Sequence, residues 1–527
     1  MSKLHAKRVL VIDDLEDMRK QLKLSMRVLG FGKMDFASSA KEALAKIAET
    51  EYDIILCDYN MGESMDGQQL LEYLRVTNRI PATTLFVMIT AESTYDKVVT
   101  ASEYVPDTYV LKPFTGQTLG ERLEKLVDRQ DVLQPLQSAI DDKNAAKVIA
   151  EADKLLRSQK YVSEAIKAKG EVLLSKKSFA EAAALYAPLA QRGMPWAMYG
   201  QALATRGMDD VAGTLTQLNA LISASPLYLS AYDLQADVLL NKGDARGAFD
   251  ALKKASDISP NSLHRARVVS RAASQAGDHA AAEEVMETIL NRYKYSPLKR
   301  ATDYTTLSKS KAVQGKTDEA LKVLKTAGSE FKDPTDAAII SVGEVIAYKQ
   351  AGNEAAAAQS LAKATAINPG QLPIMAVAAL AEACYALGRE AEGEDMLKQI
   401  IQNNPDSHEA KHLVRDTLKG QGKAHLAEEL IASSEKEVIS LNNQGVHMAA
   451  EGKLEEAVQL LCAAADRLPN NQTIVGNAAY CLSMTMLKRG HDAAMHEECL
   501  KLRDLLAGKN PKHPRLSQID TILAKVK

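Results

Sequence analysis

Two textures of hydrophobic and polar positions follow one another along the chain. Up to Arg129, short apolar runs alternate with amphipathic stretches. Residues 8–12 (RVLVI), 53–57, 85–89 (LFVMI) and 108–111 carry continuous apolar runs, as strands buried on both faces do, and 33–37 is a weaker strand. Between them, 16–29 places Met18, Leu22, Met26 and Leu29 on one helical face and stops at Gly30. Ser39 is positioned to cap a helix running to residue 50, and 67–75 turns Leu70, Leu71 and Leu74 inward. Residues 94–102 and 118–129 supply two more helices. Strands alternating with helices predict an α/β domain over 1–129, a doubly wound five-stranded parallel sheet.

From Leu136 onward the strand pattern disappears and a long period replaces it. GDARGAFDALKKASDISPNS, GNEAAAAQSLAKATAINPG and GKLEEAVQLLCAAADRLPNN share one grammar of Gly, Ala, Leu, Ala and Pro. Gly207, Gly243, Gly277, Gly315, Gly352, Gly388, Gly422 and Gly452 are 36, 34, 38, 37, 36, 34 and 30 residues apart. Each Gly reads as the turn of a helix pair, the alanines as points of close helix approach, and Pro as the end of the second helix. Such a pair cannot bury its face alone, so neighbours stack into an all-α superhelical solenoid. The expected division is a helical connector or degenerate first repeat at 130–158, repeats at 159–513 and a C-terminal capping helix at 514–527. One unit carries an extra stretch, 292–297 (RYKYSP).

Composition adds exclusions. The chain of 527 residues is 46% hydrophobic and 25% charged, which is ordinary for globular domains, and its net charge of −3 carries no basic excess for nucleic acid. The start, MSKLHAKRVLVIDD, lacks the apolar length of a signal peptide, and no run is long enough to span a bilayer. Five scattered cysteines without a CxxC pair suit a reducing compartment. A cytoplasmic protein without membrane insertion is expected.

The chemistry gathers at strand ends. Asp13 and Asp14 follow the first strand, Asp58 the third, Thr90 the fourth and Lys112 the fifth. In a parallel sheet these ends share one edge, where open α/β folds place ligands. Three carboxylates together require a cation, and an all-oxygen set suits Mg²⁺. A lysine and a hydroxyl beside them suit a phosphoryl group.

VLVIDD, IILCDYNM, VMITA and YVLKPF, in this order, resemble the receiver domain of bacterial two-component response regulators. The resemblance implies that Asp58 is the phosphoacceptor, charged by a histidine kinase. It implies Mg²⁺ held by Asp14, Asp58 and the backbone carbonyl of Asn60, with Asp13 helping through water. Thr90 and Lys112 would hold the phosphoryl oxygens, Thr90 and Tyr109 would form the switch, and Asn60 and Glu92 would tune dephosphorylation. The loop Met61–Gly67 departs from the family, lacking its Pro and running one residue longer. The helical period resembles the tetratricopeptide repeat (TPR), which implies a protein or peptide partner.

The expected whole is a response regulator whose output is a TPR scaffold and which is not an enzyme beyond self-phosphorylation and autodephosphorylation. A phosphate sink and a constitutive scaffold with a structural receiver are the alternatives. A remoter one is a zinc hydrolase built on His408-Glu409-Ala410-Lys411-His412, which matches HExxH but sits at a polar repeat junction. His491, His496 and Cys499 have poor metal-ligand spacing and are expected at the surface, and Asn442 and Asn443 on a solvated face. Arg292, Lys294, Lys299 and Arg300 with Tyr293 and Tyr295 form a basic-aromatic patch, expected to be a solvated inter-repeat loop rather than an RNA or acidic-protein contact.

Overall fold

The computed structural model describes residues 3–62, 65–91, 104–511 and 513–526. Its N-terminal domain holds β1 (Arg8–Ile12), α1 (Glu16–Val28), β2 (Lys33–Ala37), α2 (Ala40–Glu49), β3 (Ile54–Asp58), α3 (Gly67–Val76), β4 (Leu85–Ala91) and β5 (Thr108–Lys112). The strands form one parallel sheet in the order β2-β1-β3-β4-β5. Alternate residues feed two cores, because successive side chains on a strand point to opposite faces. Leu10, Ile12, Ile55, Cys57, Phe86 and Met88 pack with α2 and α3. Val9, Val11, Ile54, Leu56, Val87 and Val110 pack with α1 and the helix after β5. The helix expected at 94–102 lies outside the described residues.

The helix after β5, α4, is a single element, Gly116–Asp141, capped by Thr115 and carrying Pro135 inside it. The pattern suggested one helix at 118–129 and another after it. Pro135 removes one backbone donor, whose partner would have been the carbonyl of Asp131. The helix nevertheless continues through Pro135 to Asp141. The second half of α4 packs through Leu136 and Ala139 onto α5 (Ala145–Arg157) and α6 (Val162–Ser175). The stretch at 130–158 thus forms a helical pair packed against α6.

Further helices are α7 (Phe179–Ala190), α8 (Pro195–Gly207), α9 (Val211–Ala224), α10 (Leu229–Asn241), α11 (Ala245–Ile258), α12 (Leu263–Gln275) and α13 (His279–Arg292). The chain divides into two compact units, Met1–Lys299 and Arg300–Lys527. The second unit is all helical, from Ala301–Val313 to Pro514–Leu523, the latter shorter than the expected 514–527. Ala182, Ala248, Ala282, Ala320, Ala357 and Ala457 are fully buried at the tight helix contacts.

The turns have one chemistry. Gly243 adopts φ +86°, its N–H reaches the Leu240 carbonyl, and Asp244 then caps α11 through the Gly247 N–H. Gly277, Gly315, Gly352, Gly388, Gly422 and Gly452 are also left-handed. Gly207 is not: it ends α8, and Asp209 at φ +60° takes the left-handed position. A Cβ on Gly207 would lie 2.3 Å from the Phe179 ring, so close packing requires this glycine.

The patch at 292–300 is not a solvated loop. Tyr293 is 1% exposed and Lys299 is buried, whereas Tyr295 stays outside with Lys294 over its ring. His412 Nδ1 pairs with Asp416 within its own helix, which Ser407 caps. The rings of His491 and His496 are 5.1 Å apart, whereas Cys499 is buried and donates to the Ala479 carbonyl. Asn442 accepts from Asn477. No helix among the described residues is long and apolar enough to cross a membrane.

Candidate functional site

Sheet register assembles the site. Ile12 pairs with Cys57, so Asp13 and Asp58, each the next residue, lie side by side at the carboxyl edge. Asp58 pairs with Ile89, which puts Thr90 one step beyond, and Ala91 pairs with Lys112. Four adjacent strand ends thus deliver their side chains to one point.

The result is three carboxylates and one ammonium. Asp13, Asp14 and Asp58 each offer an oxygen within 4.8 Å of the others. Lys112 Nζ lies 2.9 Å from Asp58 Oδ1 and 3.3 Å from Asp13 Oδ2. Asp13 is fully buried and also accepts the Leu15 N–H at 2.9 Å, while Asp14 is exposed. Thr90 is buried, and its hydroxyl donates to the Ala91 carbonyl at 3.4 Å. Asn60, two residues past Asp58, is exposed. Gly62, at φ +69°, comes so close that a Cβ there would sit 3.5 Å from Asp14 Oδ2.

The electrostatics are unbalanced. Burial raises the Asp58 pKa, and Lys112 opposes this without cancelling it. Burial is also the largest influence on Lys112 and lowers it, but Asp58 and Asp13 together push it above its usual value. An isolated ion pair would lower the acid and raise the base. Here the acid also rises, because desolvation outweighs one shared ammonium. Three carboxylate oxygens set against one lysine fit a hard divalent cation such as Mg²⁺.

Tyr109 is 8% exposed and belongs to the core on the α3 side. Its backbone carbonyl accepts a hydrogen bond from Arg122 of α4. Arg129, further along α4, pairs with Glu164 of α6 at 2.9 Å. Neither arginine is marked by the strand-end logic, since each acts through the backbone or a partner many residues away. Glu92 lies outside the described residues.

Comparison with known proteins agrees with this architecture. The response regulator receiver domain family matches residues 9–124, and a tetratricopeptide repeat family matches 348–416. The chemotaxis protein CheY of Pseudomonas aeruginosa is 34% identical over 122 residues, which are 23% of this chain and 97% of that relative. CheY-3 of Vibrio cholerae is 32% identical over 122 residues, 23% of this chain and 92% of the relative. A tetratricopeptide repeat protein of Parabacteroides merdae is 11% identical, covering 50% of this chain and 98% of its own, with a TM-score of 0.31. Through its N-terminal domain the chain belongs to the response regulator receiver family. Tetratricopeptide repeats follow that domain.

Proposed function

We propose that this protein is a two-component response regulator in which Asp58 accepts a phosphoryl group from a histidine kinase and a TPR scaffold is the output. The observation that carries this reading is Lys112 Nζ bridging Asp58 and Asp13 beside Asp14. In the free chain the lysine offsets part of the carboxylate repulsion. During transfer it is already aimed at the oxygens of a group arriving on Asp58, so no reorganisation is needed. Thr90, one residue beyond the partner of Asp58, would donate to the same group, and the exposed Asn60, two past Asp58, would tune its hydrolysis as the resemblance implies. Asp14, Asp58 and, as the resemblance implies, the Asn60 carbonyl would hold Mg²⁺, with Asp13 helping through water. When bound, Mg²⁺ supplies the charge that lets an anionic phosphoryl group approach three carboxylates.

The chain acts as a cytoplasmic switch rather than an enzyme, and its array binds a protein or peptide partner. The test is mass spectrometry after incubation with a small phosphodonor. Wild type should gain phosphate only with Mg²⁺, and Asp58→Asn should not. Equal loading of both proteins rejects the assignment. Loading without any change in what the array captures would leave a phosphate sink.

A further inference from the structure

The array meets the receiver at a second place besides α4. Tyr293, in the extra stretch after α13, is buried, and its hydroxyl donates to Glu72 Oε2 at 2.6 Å. The carbonyl of Asn261, in the turn between α11 and α12, lies 2.7 Å from the same hydroxyl. Burial, and then Glu72, hold the phenol far above its ordinary pKa, so it remains a donor. Arg292 adds two contacts. Its backbone carbonyl accepts from Gln69 Nε2 at 3.3 Å, and its guanidinium lies 4.0 Å from Asp66 Oδ2. Asp66 caps α3 and Gln69 closes the capping box, so Arg292 and Tyr293 grip the first two turns of one receiver helix.

That helix end touches the phosphoacceptor. The Gly67 N–H donates to the Tyr59 carbonyl at 2.8 Å. A Cβ on Gly67 would lie 2.3 Å from the backbone oxygen of Asp58. Tyr59, the residue after Asp58, faces the same guanidinium: burial and Asp66 raise its pKa, and Arg292 opposes them. Direct contacts therefore run from Asp58 through Gly67 and the first turns of α3 to Tyr293 and the α11–α12 turn. The half-exposed Arg292–Asp66 pair is too loose to hold the surfaces together. The buried, charge-assisted Tyr293–Glu72 bond is the anchor.

We propose that the Arg292–Tyr293 corner is the array's own docking element for the receiver, and that its seating and the phosphorylation of Asp58 bias each other. A group added at Asp58 acts on a strand end packed against Gly67, at the start of the helix that Arg292 and Tyr293 hold through Asp66, Gln69 and Glu72. Linkage makes the coupling of the two states reciprocal, so phosphorylation alters the seating of the α11–α13 region as that seating alters the stability of the phosphorylated state. Phosphoryl lifetime then reports the seating because the two share the turn at Gly67. The inference rests on the reading of Asp58 as phosphoacceptor.

The test uses the full chain as wild type, Tyr293→Phe, Arg292→Ala and Glu72→Gln. Each is loaded with a small phosphodonor and Mg²⁺, and phosphate decay and hydrogen exchange are followed. Tyr293→Phe keeps the ring and removes only the hydroxyl, so the fold should persist. Its decay rate should differ measurably from that of wild type. Exchange over 59–76 should rise, and adding Glu72→Gln should change little further. Wild-type decay in both Tyr293→Phe and Arg292→Ala, despite raised exchange, would mean a static brace and overturn the coupling alone. Wild type that takes no phosphate would overturn the phosphoacceptor reading and the coupling with it.

Discussion

Arg122, on α4, donates a hydrogen bond to the backbone carbonyl of Tyr109 on β5. The bond joins the strand beside Lys112 to a helix that continues without a break to Asp141. Arg129 on the same helix is paired with Glu164 of α6. A change at β5 therefore has a rigid path into the first helices of the array.

Hydrogen exchange with Mg²⁺ and a phosphoryl-mimicking fluoride complex should show changed protection spreading from 105–128 into 132–158. Thr90→Ala should abolish the spread and Arg122→Ala should shorten it. The receiver can shift the array only by favouring one of two states, and a coupling of about 1–3 kcal/mol would alter partner affinity roughly 5- to 150-fold. Changes that stop at Asp128 would rule out this route.

Asp58 should cost the free receiver stability at neutral pH. Burial raises its folded pKa above the unfolded value, so its ionised form is disfavoured in the native state. Stability is therefore lost as pH climbs from the unfolded carboxylate pKa through the raised folded one. Asp58→Asn should be the more stable protein at pH 7, with the gap closing in acid, as judged by urea unfolding read on the receiver strands. Mg²⁺ at about 100 times its Kd should stabilise wild type by about 2.7 kcal/mol and the variant by less. A less stable Asp58→Asn at pH 7 would contradict this account.

Lys112→Met should separate cation binding from phosphoryl transfer. Removing the ammonium that lies 2.9 Å from Asp58 leaves the three carboxylates with less positive charge, so Mg²⁺ should bind at least as tightly. Phosphate loading should nevertheless fall about 100-fold, the usual loss for one preorganised electrostatic contact. Calorimetric Mg²⁺ titration beside the loading assay checks both halves, and normal loading would remove Lys112 from the mechanism.

Asn60→Lys should lengthen the phosphoryl lifetime. The residue is exposed and lies two past Asp58, and on the proposed mechanism a long cation there would hinder the in-line water. Decay of labelled phosphate measures it, and an equal or faster loss counts against the role given to Asn60.

Much of the molecule was legible because the signals are local. A continuous apolar run ending in an acid marks both a buried strand and its exit, so Asp13, Asp58, Thr90 and Lys112 could be placed on one edge without coordinates. The Gly-Asp and Gly-Asn turns work in the same way, since φ near +80° and the next helix cap are written in adjacent residues. Where two residues share a local job, the pattern misled: Gly207 was aligned as a turn, but Asp209 makes it and Gly207 yields space to Phe179.

The sequence by itself determined the receiver sheet, the composition of its edge and the existence of a helical array. Tertiary structure alone decided that α4 runs through Pro135, that the helices separate into two units at Lys299 and that Tyr293 closes on Glu72. The reason is reach. Periodicity records that a side chain is buried, whereas Tyr293 and Glu72 are 221 residues apart. Their meeting depends on the summed crossing angles of every helix pair between them, a quantity that no single stretch of sequence carries.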